Sequence, residues 1–159
     1  IVIFDQQEYE GKDAVWTTVL DDKSYIKYGH SLGRAGTQYA SCRVSYVGPD
    51  GKAIEGIAYV KDYDAKSKTN QQLEVMAAVT SKAEAKELAA KKLRLYNKFE
   101  RQMSFTFPGD PGKVAGLTFN AEGFGPWSGK YIVKQSKHTV SGSGGYTTQV
   151  IGRHTLGGY

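Results

Sequence analysis

The chain has 159 residues, 40% of them hydrophobic and 23% charged, with a formal net charge of +5. That length suits one ordinary domain or two small ones, and it can bury a core without disulfides or metal. The balance excludes a disordered chain, and no apolar run approaches the ~20 residues of a membrane-spanning helix.

The chain opens IVIFDQQEYE, with no Met and no basic n-region ahead of a short apolar core. That is not a signal peptide, and it reads as a piece from inside a longer polypeptide. Ile1–Phe4 is a short apolar run, expected as a strand or an extended linker. Ala14–Leu20 is β-branched and aromatic and predicts a strand. Residues 21–38 are polar, with Gly29, Gly33 and Gly36, and predict a long loop. Tyr39–Val47 alternates: Ala40, Cys42, Val44 and Tyr46 share one face, Ser41, Arg43 and Ser45 the other. Gly48-Pro49-Asp50-Gly51 then has turn chemistry, and Lys52–Val60 is the predicted return strand.

Residues 61–70 are a polar connection. Leu73–Thr80 has a composition open to strand or helix, and the helix start directly after it favours strand. Ser81 with Glu84 forms a capping box. Ala85, Leu88, Ala89, Leu93 and Tyr96 follow at helical spacing, predicting a helix from about Lys82 to Asn97. Its small apolar stripe predicts close packing on a sheet. Arg101–Phe107 places Met103, Phe105 and Phe107 on one strand face, and Pro108-Gly109 ends it. Leu117–Glu122 is a short predicted strand, Gly129–Ser141 a long one, and Gly145–Ile151 its antiparallel partner, which completes four strands at short spacing. Such a set, with Gly/Pro turns, suggests a small barrel. A composition shift near residue 100 predicts two domains, 1–100 and 101–159.

Location refines the composition. Residues 1–108 hold seven glycines and residues 109–159 hold twelve, so the last third needs backbone freedom or close approach. The stretch 81–101 sets Lys82, Lys86, Lys91, Lys92, Arg94, Lys98 and Arg101 against Glu84, Glu87 and Glu100, which is +4 of the +5. Nucleic acid, a membrane surface or an acidic protein could meet such charge, and so could water alone, on an ordinary exposed helix face. The single cysteine, Cys42, excludes an intrachain disulfide and a multi-thiolate zinc site. Its place in an alternating strand suits a buried small hydrophobe.

Catalytic signatures are absent. His30, His138 and His154 lie far apart, and no H-E-x-x-H, C-x-x-C, G-x-S-x-G or Walker loop occurs. His138 is expected as a surface imidazole. Asp5, Asp13, Asp21, Asp22, Asp62 and Asp64 all lie in polar stretches, which suits solvated loop residues. Ser141-Gly142-Ser143-Gly144-Gly145 precedes a strand rather than opening a helix, so it suits a hairpin turn better than a phosphate cradle. Aromatics interleaved with basic residues (Tyr25, Lys27, Tyr28; Phe105, Phe119, Tyr131) would also fit an oligonucleotide-binding barrel.

One longer pattern runs through the last third. Its elements are Phe107-Pro108-Gly109, Pro111, Ala115-Gly116, Gly123-Phe124-Gly125, Gly129-Lys130-Tyr131 and Ser143-Gly144-Gly145-Tyr146-Thr147-Thr148. In this order it resembles the C-terminal part of the phage late control gene D proteins, the hubs of contractile tail baseplates, to which type VI secretion spike proteins are related. The basic helix SKAEAKELAAKKLRLYNKFE and the hairpin YASCRVSYVGPDGKAIEGIAYV resemble that family too. The resemblance covers about residues 39–151; residues 1–38 match loosely and GRHTLGGY not at all.

The resemblance implies an α+β fold, mainly antiparallel β: a small barrel-like tube domain with a β-hairpin and one long helix. It implies a structural hub fragment and no enzyme, no cofactor and no metal site. Its partners would be itself as a homotrimer in the full-length hub, the tail tube and the central spike. There would be no membrane insertion, and nucleic acid would only pass through the tube. The location would be the virion tail baseplate, assembled in the bacterial cytoplasm. Lys130, Lys134 and Lys137 would line a lumen or a subunit rim. The motif residues expected to shape the domain are Pro108, Gly109, Pro111, Ala115, Gly116, Gly123, Phe124, Gly125, Gly129, Tyr131, Gly144, Tyr146 and Thr147. Two other readings stay open: a small β-barrel module binding single-stranded nucleic acid or glycan, and a cell-wall hydrolase.

Overall fold

A strand whose alternate residues are aromatic has one face that must be covered, and several such strands set the architecture here. The computed structural model describes residues 6–33 and 38–156; the Ile1–Phe4 run and the last part of GRHTLGGY lie outside them. In chain order the elements are α1 (Gln6–Gly11), β1 (Trp16–Val19), β2 (Lys27–Leu32), β3 (Ser41–Val47), β4 (Ala53–Tyr59), β5 (Gln72–Met76), α2 (Lys82–Asn97), β6 (Arg101–Pro108), β7 (Thr118–Glu122), β8 (Gly129–Ser141) and β9 (Gly145–His154). The fold is α+β and mainly antiparallel. It consists of two compact units, one holding β1, β2 and β6–β9, the other β3–β5 and α2.

The larger unit is a six-stranded sheet in the order β1-β7-β8-β9-β6-β2, curled into a half-barrel. Every pairing is antiparallel except β1 with β7. The concave face buries Met103, Phe105, Phe107, Phe119, Phe124, Tyr131, Val133 and Val150. A bulge between Val133 and Gln135 interrupts the β8–β9 ladder, and residues 137–146 beyond it are exposed. Bulges add local twist, which suits a hairpin leaving the sheet there. Below the bulge Arg153 is buried, ion-paired with the buried Glu10 of α1 and hydrogen-bonded to Gln6 at 3.1 Å.

Two expectations are corrected here. Residues 21–38 do not form one long loop, because Lys27–Leu32 pairs with Arg101–Thr106 as β2. This edge strand is exposed at nearly every position, so it has no apolar alternation to reveal it. The division into 1–100 and 101–159 also differs from the structure. β1 and β2 join the sheet of β6–β9, through Trp16–Val19 on β7 and Lys27–Leu32 on β6. Pairing across about a hundred residues leaves no local mark in composition.

The smaller unit is a three-stranded sheet, order β4-β3-β5, with α2 packed on one face. The hairpin turn forms as expected, with Gly51 N–H donating to the Gly48 carbonyl at 3.0 Å. The capping box forms too: Ser81 Oγ accepts from Glu84 N–H at 3.1 Å, and the Glu84 carboxylate accepts from Thr80 N–H at 2.7 Å. These bonds hold the Glu84 carboxyl below its usual range, the Thr80 hydroxyl contributing most.

The small apolar stripe does what its size demands. A Cβ on Gly56 of β4 would stand 2.3 Å from Lys86 N and 2.5 Å from Ala85 C, so helix backbone rests directly on strand backbone. The buried ridge is Ala85, Ala89, Leu93 and Asn97 at four-residue spacing. Tyr96, expected on the stripe, is instead 42% exposed. Asn97 takes the position because its amide clamps Tyr39, accepting from its N–H at 2.9 Å and donating to its carbonyl at 2.8 Å. Cys42 is fully buried in this core, and burial raises its thiol pKa.

Leu93→Asp should abolish cooperative unfolding of the smaller unit, a loss of at least about 4 kcal/mol, because its carboxylate would be buried without a partner. Lys91→Ala should cost less than about 1 kcal/mol, since that lysine pairs with Glu87 in solvent. Urea titration followed by far-ultraviolet circular dichroism separates the two outcomes.

Candidate functional site

The motif residues of the last third all fall in the larger unit, and the fold gathers some of them. Pro108 ends β6 opposite Thr147 of β9, and Gly109 N–H donates to the Tyr146 carbonyl at 2.8 Å. A Cβ on Gly109 would lie 1.9 Å from Tyr146 Cδ1, so the tyrosine ring occupies the space that a side chain would need. Gly109 and Tyr146, 37 residues apart, are therefore one contact. Pro111 is exposed in the following loop, as is Ala115, and Gly116 N–H donates to the Val133 carbonyl at 2.9 Å.

Gly123, Phe124 and Gly125 form the turn after β7. Phe124 is buried there, edge-on to Phe105 at 5.6 Å and to Tyr28 at 5.2 Å. Gly129 opens β8, and Tyr131 follows in the core. Tyr131 stacks on Phe119 at 5.5 Å and donates its hydroxyl to the Trp127 carbonyl at 2.6 Å. Burial pushes its phenol pKa up. Gly144 closes the β8–β9 turn by donating to Ser141 Oγ at 3.0 Å. Lys134 and Lys137 lie on the exposed arm of the hairpin, Lys134 with its ammonium 4.6 Å from the Phe99 ring centre.

A polar network ties this hairpin to the loop after β6. His138 is exposed, with Nδ1 2.9 Å from Tyr146 Oη and 3.1 Å from Thr148 Oγ1, and Nε2 3.1 Å from Ser136 Oγ. Ser136 donates to the Lys113 carbonyl at 2.5 Å, so its proton is committed to a backbone acceptor. Thr148 accepts from Asp110 N–H at 2.9 Å and donates to the Asp110 carbonyl at 3.2 Å. The Asp110 carboxyl sits below its usual range because Lys113 bonds it, with help from Gly112 N–H. The arrangement fixes the relative position of two segments. Among the described residues no three His, Cys, Asp or Glu side chains converge in a way that could hold a metal.

The same loop forms one side of an open cleft of about 400 Å³. Phe107–Pro111, Lys113 and Ser24 line it together with Trp16, Thr17 and Thr18 of β1. Lys113 spans the cleft with its ammonium 4.8 Å from both the Trp16 and the Phe107 ring centres. Pro108, Gly109 and Pro111 are thus cleft residues as well as motif residues. The sequence reading missed Trp16, Thr18 and Lys113, because curling of the sheet alone brings β1 to the end of β6.

No protein-family model matches the chain, and no curated protein does. Solved structures match it in fold. A tail protein from Neisseria meningitidis MC58 superimposes on 90% of this chain with a TM-score of 0.68 at 10% identity. A tail protein of prophage MuSo2 from Shewanella oneidensis covers 91% with a TM-score of 0.71 at 8% identity. A chain in the virion of a native gene transfer agent particle covers 90% with a TM-score of 0.53 at 14% identity. The match takes up 45%, 46% and 32% of those chains, so this chain spans less than half the length of each. At such identities the likeness is one of fold, and the fold is that of phage and prophage tail proteins.

Gly109→Val should destabilise the larger unit by about 1–3 kcal/mol through the clash with Tyr146. In a double-mutant cycle with Tyr146→Ala most of that cost should disappear, leaving a coupling energy above about 0.5 kcal/mol. His154 is half-buried, and burial lowers its pKa from the usual 6.5, with Arg101 adding to the effect. The unfolded chain therefore binds this proton more readily than the folded one. Stability should be full above pH 6.5 and fall as pH drops through and below it, and His154→Phe should flatten this slope in thermal midpoints.

Proposed function

We propose that the chain is a structural component of a contractile phage or prophage tail, a piece of the baseplate hub that links tail tube to central spike through protein contacts. The observation that carries this reading is the fold match to two tail proteins over nine-tenths of the chain. The ordered motif from Phe107 to Thr148, with its resemblance to the late control gene D proteins, narrows it from tail to hub. The half-barrel also leaves β1 and β2 as sheet edges, the kind of surface through which ring-forming sheet proteins meet neighbours.

On this reading the protein is not an enzyme and needs no cofactor. The full-length subunit forms a homotrimer, contacts tube and spike, and resides in the virion baseplate after assembly in the bacterial cytoplasm. Nucleic acid passes the hub without being recognised by it. Antibodies against this chain, applied to tail particles from the host strain, should label the tail end far from the capsid. Label elsewhere, or none, overturns the hub role. Salt-sensitive micromolar affinity for a single-stranded oligonucleotide would overturn it in favour of a nucleic-acid module.

A further inference from the structure

The link between β7 and β8 is fastened to the sheet by side chains. It is a single 3-10 turn, Gly125–Trp127, whose backbone bonds stay within residues 124–128. Trp127 N–H donates to the Phe124 carbonyl at 3.2 Å and Ser128 N–H to the Gly125 carbonyl at 2.9 Å. Three strands hold it from below. Arg101 of β6 donates to the Pro126 carbonyl at 3.2 Å, and the Tyr131 hydroxyl of β8 to the Trp127 carbonyl at 2.6 Å. The His30 ring of β2 lies 4.5 Å from the Trp127 ring. Because the sheet runs β8-β9-β6-β2, the turn is a strap across the concave face, with Trp127 packed on the aromatic core. Gly125 and Gly129 bound it at φ of +59° and +145°, backbone states that side chains disfavour and that can serve as hinges.

One titratable ring lies between the two hydrogen-bonding tethers. His154 of β9 pairs with Tyr131 in the ladder and meets its ring edge-on at 5.2 Å. A Cβ on Gly129 would stand 2.6 Å from His154 Nε2, so the imidazole packs on the backbone where the chain leaves the strap. The charged and titratable groups around it are Arg101 of β6, Tyr131 of β8 and Glu10 of α1. Burial, and then Arg101, oppose its charged form; a backbone bond at Thr155 and the Glu10 carboxylate favour it less strongly. Glu10 is itself ion-paired with Arg153. A proton on His154 therefore sets a second cation beside the Arg101 guanidinium that holds Pro126. Two side-chain hydrogen bonds and a ring contact yield before strands joined by ladders do.

We propose that Gly125–Trp127 is an acid-opened strap: protonation of His154 swings it off the concave face about Gly125 and Gly129 while the six strands stay paired. Opening lets Arg101 move away from the imidazolium, gives the ring access to water, and uncovers the aromatic surface under Trp127. The open state binds the proton more readily than the closed one, so closure is fully favoured above pH 6.5 and is lost as pH falls through and below it. The device rests on the geometry of this unit and not on the tail assignment.

The reporter is Trp127, one of two tryptophans in the chain, read alone by fluorescence in the Trp16→Phe protein. Between about pH 8 and pH 5, where histidines titrate, its emission should move reversibly to longer wavelength while the far-ultraviolet sheet signal holds. His154→Gln should abolish the shift, and His30→Phe, which removes the other imidazole near the indole, should retain it. In the unaltered chain, nuclear magnetic resonance should give the His154 ring and the Trp127 indole N–H one common midpoint, below pH 6.5. Four results would overturn the proposal: no shift, a shift that survives His154→Gln, one lost with His30→Phe, or one accompanied by loss of sheet signal. Separate midpoints for His154 and Trp127 in the unaltered chain would overturn it as well, and that measurement stands even if a variant does not fold.

Discussion

The aromatic side chains on the concave face of the six-stranded sheet bury mainly against each other. Phe105 is at the centre of this arrangement, with its ring against Phe107, Phe119, Phe124, Tyr25 and Tyr28. A flat sheet would leave these rings in water, and each large ring gains about 1.5–3 kcal/mol by full burial. Curling brings the two ends of the sheet toward one another and covers the rings, while edge-on and stacked contacts fix their order. The bulge at Val133/Gln135 fits the same requirement, since it releases the outer hairpin from the curvature of the core.

The cleft follows from that curvature. A half-barrel has a gap between its first strand and the end of its fifth, and here Lys113 spans the gap above Trp16 and Phe107. Asp110, Ser136, His138, Tyr146 and Thr148 then fix the loop beside it to the hairpin. Gly109 belongs to the same device, because Tyr146 occupies its side-chain space. The motif that resembles hub proteins is in this sense a packing solution: its glycines and prolines mark where segments pass too close for side chains or must end a strand.

Much of the fold was legible because it is local. The alternation of Ser41–Val47, the Gly48–Gly51 turn, the Ser81/Glu84 cap and the strand Arg101–Phe107 each follow from residues within a few positions of one another. The small stripe of α2 foretold its contact with a sheet, although Asn97 rather than Tyr96 completes the buried ridge. β2 was not legible. An edge strand exposed on both faces has no hydrophobic period, and its partner lies some seventy residues away. The cleft was legible in part: Pro108, Gly109 and Pro111 stood out as motif residues, but nothing near Trp16 or Thr18 in the sequence points toward them.

By itself the sequence determined the local elements, the basic helix, the lack of any catalytic signature and a motif order resembling one family. These depend on short-range sterics, capping and hydrophobic periodicity, all written in neighbouring residues. The tertiary structure decided which strands share a sheet, that β1 and β2 join the later part of the chain, and that Trp16 and Thr18 line a cleft together with the end of β6. Those outcomes come from burying aromatic rings contributed by distant segments, a condition that no local window of the chain contains.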